Sequence, residues 1–255
     1  IYSQPELIGC MKFFKLALIL ILISPSLSAQ NQKKTDQQTL TWIRYYNILP
    51  LSEKWALHSE FDNRSFLNPI HQNLFAIRVQ GRYRAAKTID LGGGFAYFNV
   101  NTQDPNVDPD FSIPEYRAQQ DITFINDIAK ITFHNRFQLE ERFFQKATKT
   151  ELLDNYWFAY RFRYRLQSTF TLWEKEKRSL KATISDEIMF NFGKDNKRNT
   201  FDQNRIYAAL RYHINPNIGL ELGYLKSFQR RASGVDFYDR DIIRFTIYHR
   251  INREF

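Results

Sequence analysis

Guanidinium groups recur at alternate positions along several stretches of the chain: Arg161, Arg163 and Arg165 in one, Arg78, Arg82 and Arg84 in another, Arg136 and Arg142 around Glu140 in a third. Arg205, Arg211 and Arg244 and the carboxylate Glu221 fall in the same kind of alternation. An arginine fork matches the oxygens of carboxylate and phosphate groups, and rings of arginine favour anions in narrow passages. Two uses follow. The arginines are neutralised by Glu60, Glu115, Asp121, Glu140, Glu187 and Glu221 and fill an enclosed space, or they line an anion-preferring passage. Because acids are interleaved along the same stretches, pairing is the favoured reading.

Bond-making chemistry is harder to assemble. His58-Ser59 with Asn63 has the residue types of a lipid hydrolase, but nucleophile and base must lie within hydrogen-bond reach. Neighbours on an extended strand point to opposite faces. His134 and Glu140 share a face yet lie about 20 Å apart along a strand, and Glu140-Glu141 is split across two faces. Gly92-Gly93-Gly94 lacks the Lys-Ser/Thr ending of a phosphate loop and reads as a point of close packing or bending. No pair of histidines has ligand spacing. No catalytic residue, metal or cofactor is therefore expected, although residues on different strands can still meet.

The elements that must position these groups are strands. In 73–84, Phe75, Ile77, Val79, Gly81 and Tyr83 alternate with Ala76, Arg78, Gln80, Arg82 and Arg84. In 130–144, Ile131, Phe133, Phe137, Leu139 and Phe143 oppose His134, Arg136, Gln138, Glu140 and Arg142. In 153–166 six apolar or aromatic residues from Tyr156 to Leu166 oppose Arg161, Arg163 and Arg165. Strict period two marks a strand with one apolar and one polar face, whereas a helix would scatter the aromatics around its circumference. Similar patterns, less pure, bring the count to eleven segments from about residue 39 onward. Gaps at 65–72, 101–113, 145–152, 192–202 and 230–238 are long and polar, while 85–88, 126–129 and 215–217 are tight. The segment 167–179 reads as a longer connection on the short side.

Both faces are extreme, which decides between a soluble and a membrane barrel. The aromatic faces of so many strands turned inward would demand a very large dry core. Turned outward they meet lipid, and closure satisfies every backbone hydrogen bond. The expectation is an all-β fold: a closed antiparallel transmembrane β-barrel over 39–255 with long outer loops and short periplasmic turns. Trp42, Trp55, Tyr83, Tyr97, Tyr164 and Tyr212 suit interfacial girdles. Single-chain bacterial barrels have an even strand number, so twelve strands are expected, with ten as the fallback and residues 30–38 as a polar segment before the barrel. Arg78, Arg82, Arg136, Glu140, Arg161, Arg163, Arg205, Arg211, Glu221 and Arg244 are then the lumen-lining candidates.

Lys12 and Lys15 precede the apolar run 16–23, and Ser24-Pro25 and the small residues Ser26, Ser28 and Ala29 follow. This is the pattern of a secretory signal peptide over 11–29, with residues 1–10 read as upstream sequence. Leu7-Ile8-Gly9-Cys10 resembles a lipoprotein cleavage box but lacks the charged and apolar leader. Of 255 residues, 16% are aromatic, a share that disordered chains avoid. A mean hydropathy of -0.50 excludes a multi-span helical membrane protein. The net charge of +9 does not point to nucleic acid, because the charges would be enclosed. The expected partners are outer-membrane lipid and, through Phe255 as a terminal aromatic signal, the assembly machinery.

The opening hairpin with Trp42 and Trp55, Arg64, Glu115-Tyr116-Arg117, Arg136 with Glu140-Glu141-Arg142, Arg161-Phe162-Arg163-Tyr164-Arg165-Leu166 and Gln203-Asn204-Arg205 together resemble a family of bacterial outer-membrane barrels. It is the domain of unknown function number twenty-four-ninety, common in Bacteroidota-like bacteria. The resemblance covers roughly 39–255 and implies a barrel in the outer membrane of a Gram-negative cell. It implies no activity and no catalytic residues. The expected role is structural, binding or anion-biased small-solute passage; a lipid-modifying enzyme and a secreted soluble β protein are the alternatives.

Overall fold

The computed structural model describes residues 33–107, 112–148, 151–193 and 199–252. The expected leader within 1–32 and the terminal Phe255 lie outside the described residues. Eleven strands follow one another there: β1 Thr35–Pro50, β2 Trp55–Leu67, β3 Ile70–Ala86, β4 Ile89–Val100, β5 Ile113–Ile128, β6 Ile131–Ala147, β7 Leu152–Lys175, β8 Arg178–Phe192, β9 Phe201–Asn215, β10 Ile218–Arg230 and β11 Phe237–Arg250. Each pairs with its neighbour in sequence, and β1 closes the barrel against β11.

The expectation of twelve strands, or ten, is corrected to eleven, and the barrel is not wholly antiparallel. With strands alternating in direction, an odd number leaves the first and last running the same way, and β1 pairs β11 in parallel from Thr35↔Phe237 to Ile48↔Arg250. A parallel ladder still satisfies every N–H and C=O along the seam, with slanted, evenly spaced bonds. Evenness is thus a habit of such barrels, not a condition for removing the edge. No separate strand precedes β1 among the described residues. Asp36 and Gln38, expected in a segment before the barrel, lie in the opening residues of β1 itself.

Connections differ between the two ends. On one, the loop side, lie 101–112, 193–200 and 231–236, with shorter links at 148–151 and 68–69. On the other, the turn side, four of the five links are two-residue turns. The long connection expected over 167–179 is instead strand: β7 runs to Lys175, which pairs with Arg178 across a turn at 176–177. Period two continues through this stretch, with Thr169 bonded to Thr183 of β8. The turn carries no Gly or Asn, and Glu176 itself adopts φ 53°, so the usual signal for a hairpin turn is missing from the sequence.

The two faces separate as charge and apolarity require. Phe95 of β4 (73% exposed), Leu222 of β10 (60%) and Ile43 of β1 (56%) stand on the outer wall. Glu115, Glu140 and Glu221, by contrast, are buried inside. Polar groups on the outer wall gather toward the loop side, as in Lys226 Nζ with Asp239 (2.8 Å) and Asp241 (3.0 Å) and Asn204 with Asp186 (2.6 Å). Below them the wall is apolar, with Ile243, Phe245 and Ile247 on β11 beside Leu220 and Leu222 on β10.

Candidate functional site: an arginine-rich lumen

Alternation places one residue in two inside the barrel, and register decides which charges meet there. Glu140 of β6 accepts from Arg161 (2.5 and 2.9 Å), Arg163 (2.5 Å), Arg117 (3.3 Å) and Gln138 (3.0 Å). Glu115 takes Arg117 and Arg142, each at 2.6 Å. Glu187 takes Arg136 at 2.7 Å and Arg163 at 2.8 Å. Charge-assisted pairs of this kind are strong only where the remaining lone pairs are satisfied, and here several donors share each carboxylate.

Nearer the turn side a second centre forms around Glu221. It accepts from Tyr207 Oη (2.7 Å), Arg211 (2.7 and 2.9 Å), Arg244 (3.2 Å) and Tyr248 Oη (3.3 Å). Tyr248 also accepts from Arg44 at 2.8 Å, and its ring packs 5.4 Å from that of Tyr46, whose hydroxyl meets His58 Nδ1 at 2.5 Å. Arg82 pairs with Asp121 at 2.7 Å. Gly92 is required beside that pair, because a Cβ there would collide with both the guanidinium and the carboxylate. Close approach, one of the two readings of the glycine run, accounts for it.

The interior is not uniformly polar. Leu40, Trp42, Phe66, Tyr207, Leu225 and Ile242 form one buried cluster, and Leu74, Ala76, Ala96 and Phe98 another. Trp42, expected in an outer girdle, is corrected to an inward position at 6% exposure. It shares the face of Leu40 and Arg44, and Arg64 lies 3.7 Å over its ring. Arg117 over Phe98 (3.6 Å), Arg244 over Tyr207 (3.7 Å) and Arg211 over Tyr248 (3.6 Å) repeat the arrangement. The ring faces give these guanidiniums a second partner beside the carboxylates they hold.

A cavity of about 910 Å³ occupies the loop-side part of the lumen. Of the expected lining residues, Arg78, Arg136, Arg161, Arg163, Arg205 and Arg244 border it. Arg82, Arg211, Glu221 and Glu140 also face inward but sit in the paired networks just described, outside its wall. Tyr46, His58 and Tyr248 do not border it either, so side chains pack the turn side as a floor. Gln103, in the connection after β4, reaches into the mouth, where its carbonyl accepts from Gln38 at 3.0 Å and its side chain from Arg240 at 2.9 Å.

His58 and Ser59 point apart, as the strand geometry demands, and His58 is engaged by Tyr46. A serine–histidine contact occurs elsewhere: Ser179 Oγ lies 3.1 Å from His213 Nδ1, across the β8–β9 register. Sequence spacing could not reveal it, since the two residues come from different strands. No carboxylate among the described residues hydrogen-bonds the His213 ring, so the third member of a hydrolytic triad is missing. Among the described residues no group of three His, Cys, Asp or Glu side chains could hold a metal ion.

Fold and interior together define a class: an all-β closed barrel with an apolar outer wall and an interior of arginine–carboxylate networks around a cavity. The family DUF2490, described as a protein of unknown function, matches residues 39–238, and the chain belongs to that family. No curated protein and no solved structure gives a significant match.

Proposed function

We propose that the chain is an outer-membrane β-barrel, exported by its leader, whose lumen is a chamber for small anionic solutes. The observation that carries this reading is sidedness. Ile43, Phe95, Ile184, Ile206 and Leu222 stand exposed on the outer wall, while the guanidinium and carboxylate groups are held inside. A soluble barrel places these faces the other way round, whereas hydrocarbon favours an apolar, aromatic wall closed on itself. The outer polar pairs near the loop side, such as Lys226 with Asp239, suit the upper limit of an apolar band.

The reading is of a binding or passage protein rather than an enzyme. The Ser179–His213 contact supplies two of the three groups a hydrolase needs, and neither residue borders the cavity. Incubation with phospholipid or lipopolysaccharide is expected to yield no product, and hydrolysis lost in Ser179→Ala would reverse the assignment. Fractionation tests the membrane reading directly. The protein is expected with outer membranes, migrating faster on gels before heating than after. Recovery in the soluble periplasmic fraction would overturn it. In planar bilayers, any current is expected to carry an anion preference, and cation preference would remove the solute assignment.

A further inference from the structure

Fourteen arginines and one lysine border the cavity, against five carboxylates. Most of these arginines hold a carboxylate within hydrogen-bond reach, and three stand apart. The Arg165 side chain makes no hydrogen bond or ion pair with the described residues, and its Nε is buried without a partner. Arg205 lies 3.9 Å from Glu187, whose oxygens are already taken by Arg136 and Arg163 at 2.7 and 2.8 Å; its Nε too is unpartnered. Arg240, 5% exposed, bonds only neutral oxygens: those of Gln38 (2.7 Å), Gln229 (2.9 Å) and Gln103 (2.9 Å).

Register puts the three in one row. Arg165 is opposite Glu187, Glu187 opposite Arg205, Arg205 opposite Ser227, and Ser227 opposite Arg240. They therefore stand on alternate strands, β7, β9 and β11, roughly 9–10 Å apart along the inner wall. The buried Ser227 between two of them adds no charge. Trp42 faces the same space, with Arg205 at 5.2 Å from its ring. Its indole Nε1, a donor only, is buried without an acceptor.

The Nε groups of Arg165 and Arg205 and the indole Nε1 of Trp42 are costly to bury without an acceptor, and an oxyanion satisfies several such donors at once. A cavity of about 910 Å³ is the size of a site for a small organic molecule rather than a bare ion. We propose that Arg165, Arg205 and Arg240, with the Trp42 indole N–H, form a binding row for a water-borne organic oxyanion, a small molecule bearing carboxylate or phosphate groups. The assignment rests on the reading of the lumen as a solute chamber and names what that chamber takes.

Inorganic pyrophosphate is the probe, titrated calorimetrically into the folded full chain in a neutral detergent, with sodium chloride at matched ionic strength as reference. One-to-one binding is expected, weakened about tenfold or more in the double variant Arg165→Gln/Arg205→Gln, a loss that corresponds to about 1.4 kcal/mol or more. Arg82→Gln, outside the cavity wall, is expected to bind within about twofold of wild type, on the ground that additive effects hold for separate sites. If the double variant does not fold, as read by heat-modifiable migration, Arg240→Gln and Trp42→Phe take its place, each expected to weaken binding about threefold or more. Absence of binding by the folded wild type, or binding by the row variants equal to wild type, overturns the site. Competition by added phosphatidylglycerol would overturn the water-borne source. Binding in detergent does not require membrane insertion. A chain that binds but fails to enter vesicles therefore contradicts only the membrane reading, and one that inserts without binding contradicts only the row.

Discussion

Around Glu221, on the turn side, four side chains converge on one carboxylate and the rings of Tyr46 and Tyr248 pack beneath. Further along the same strand, in the row that contains Ser227, the guanidiniums of Arg165, Arg205 and Arg240 have one carboxylate in line with them, Glu187, and it is already held by Arg136 and Arg163. Both regions are made by the same alternating pattern, and β9, β10 and β11 contribute to both. They differ in how many acids the register supplies: Glu187, already held, is the acid opposite both Arg165 and Arg205. A saturated centre holds the wall together and closes the floor. An unsaturated one leaves charge and space for something that is not part of the chain. Burying charge with its partners in place is structural, and burying it without them implies a ligand.

The sharpest way to separate the two regions is to remove their central groups one at a time. Glu221→Gln leaves Arg211 and Arg244 buried without their carboxylate, and is expected to lower stability by about 3–5 kcal/mol, measured by urea unfolding in detergent micelles. A loss under about 1 kcal/mol would mean that the floor is not held by this centre. Gly92→Val tests how tightly the turn side is filled. Its side chain meets the Arg82–Asp121 pair, so a cost of about 1–3 kcal/mol is expected in the same unfolding measurement. The smallest effect belongs to the other region. Arg205→Gln removes no close ion pair and is expected to change stability by no more than about 1 kcal/mol in either direction. A loss as large as that of Glu221→Gln would show the row to be structural and erase the contrast.

Much of the barrel could be read from residues in order, because a strand sorts its side chains by parity and nothing else. Arg161, Arg163 and Arg165 on one face and Tyr160, Phe162 and Tyr164 on the other needed no partner strand to be told apart. Eleven segments were countable for the same reason. Parity says nothing of which residues of one face meet. The Ser179–His213 contact and the gathering of three arginines on Glu140 depend on cross-strand register. Trp42 shows a further limit. An aromatic near a strand end suits a girdle by type, but its place in the alternation with Leu40 and Arg44 put it inside. The turn at 176–177 escaped detection because Glu176 adopts a positive φ of 53° without the Gly or Asn that usually marks such turns.

Local chemistry in the chain determined the strands, the two chemically opposed faces and the impossibility of pairing His58 with Ser59, since each follows from the two-residue repeat of an extended backbone. Only the closed barrel decided that β1 runs parallel to β11, that Glu221 is saturated, and that Arg165, Arg205 and Arg240 stand in one row with too few acids. Those outcomes depend on how far each strand slides against the next, and a slide of two residues keeps every face unchanged while exchanging every charge partner.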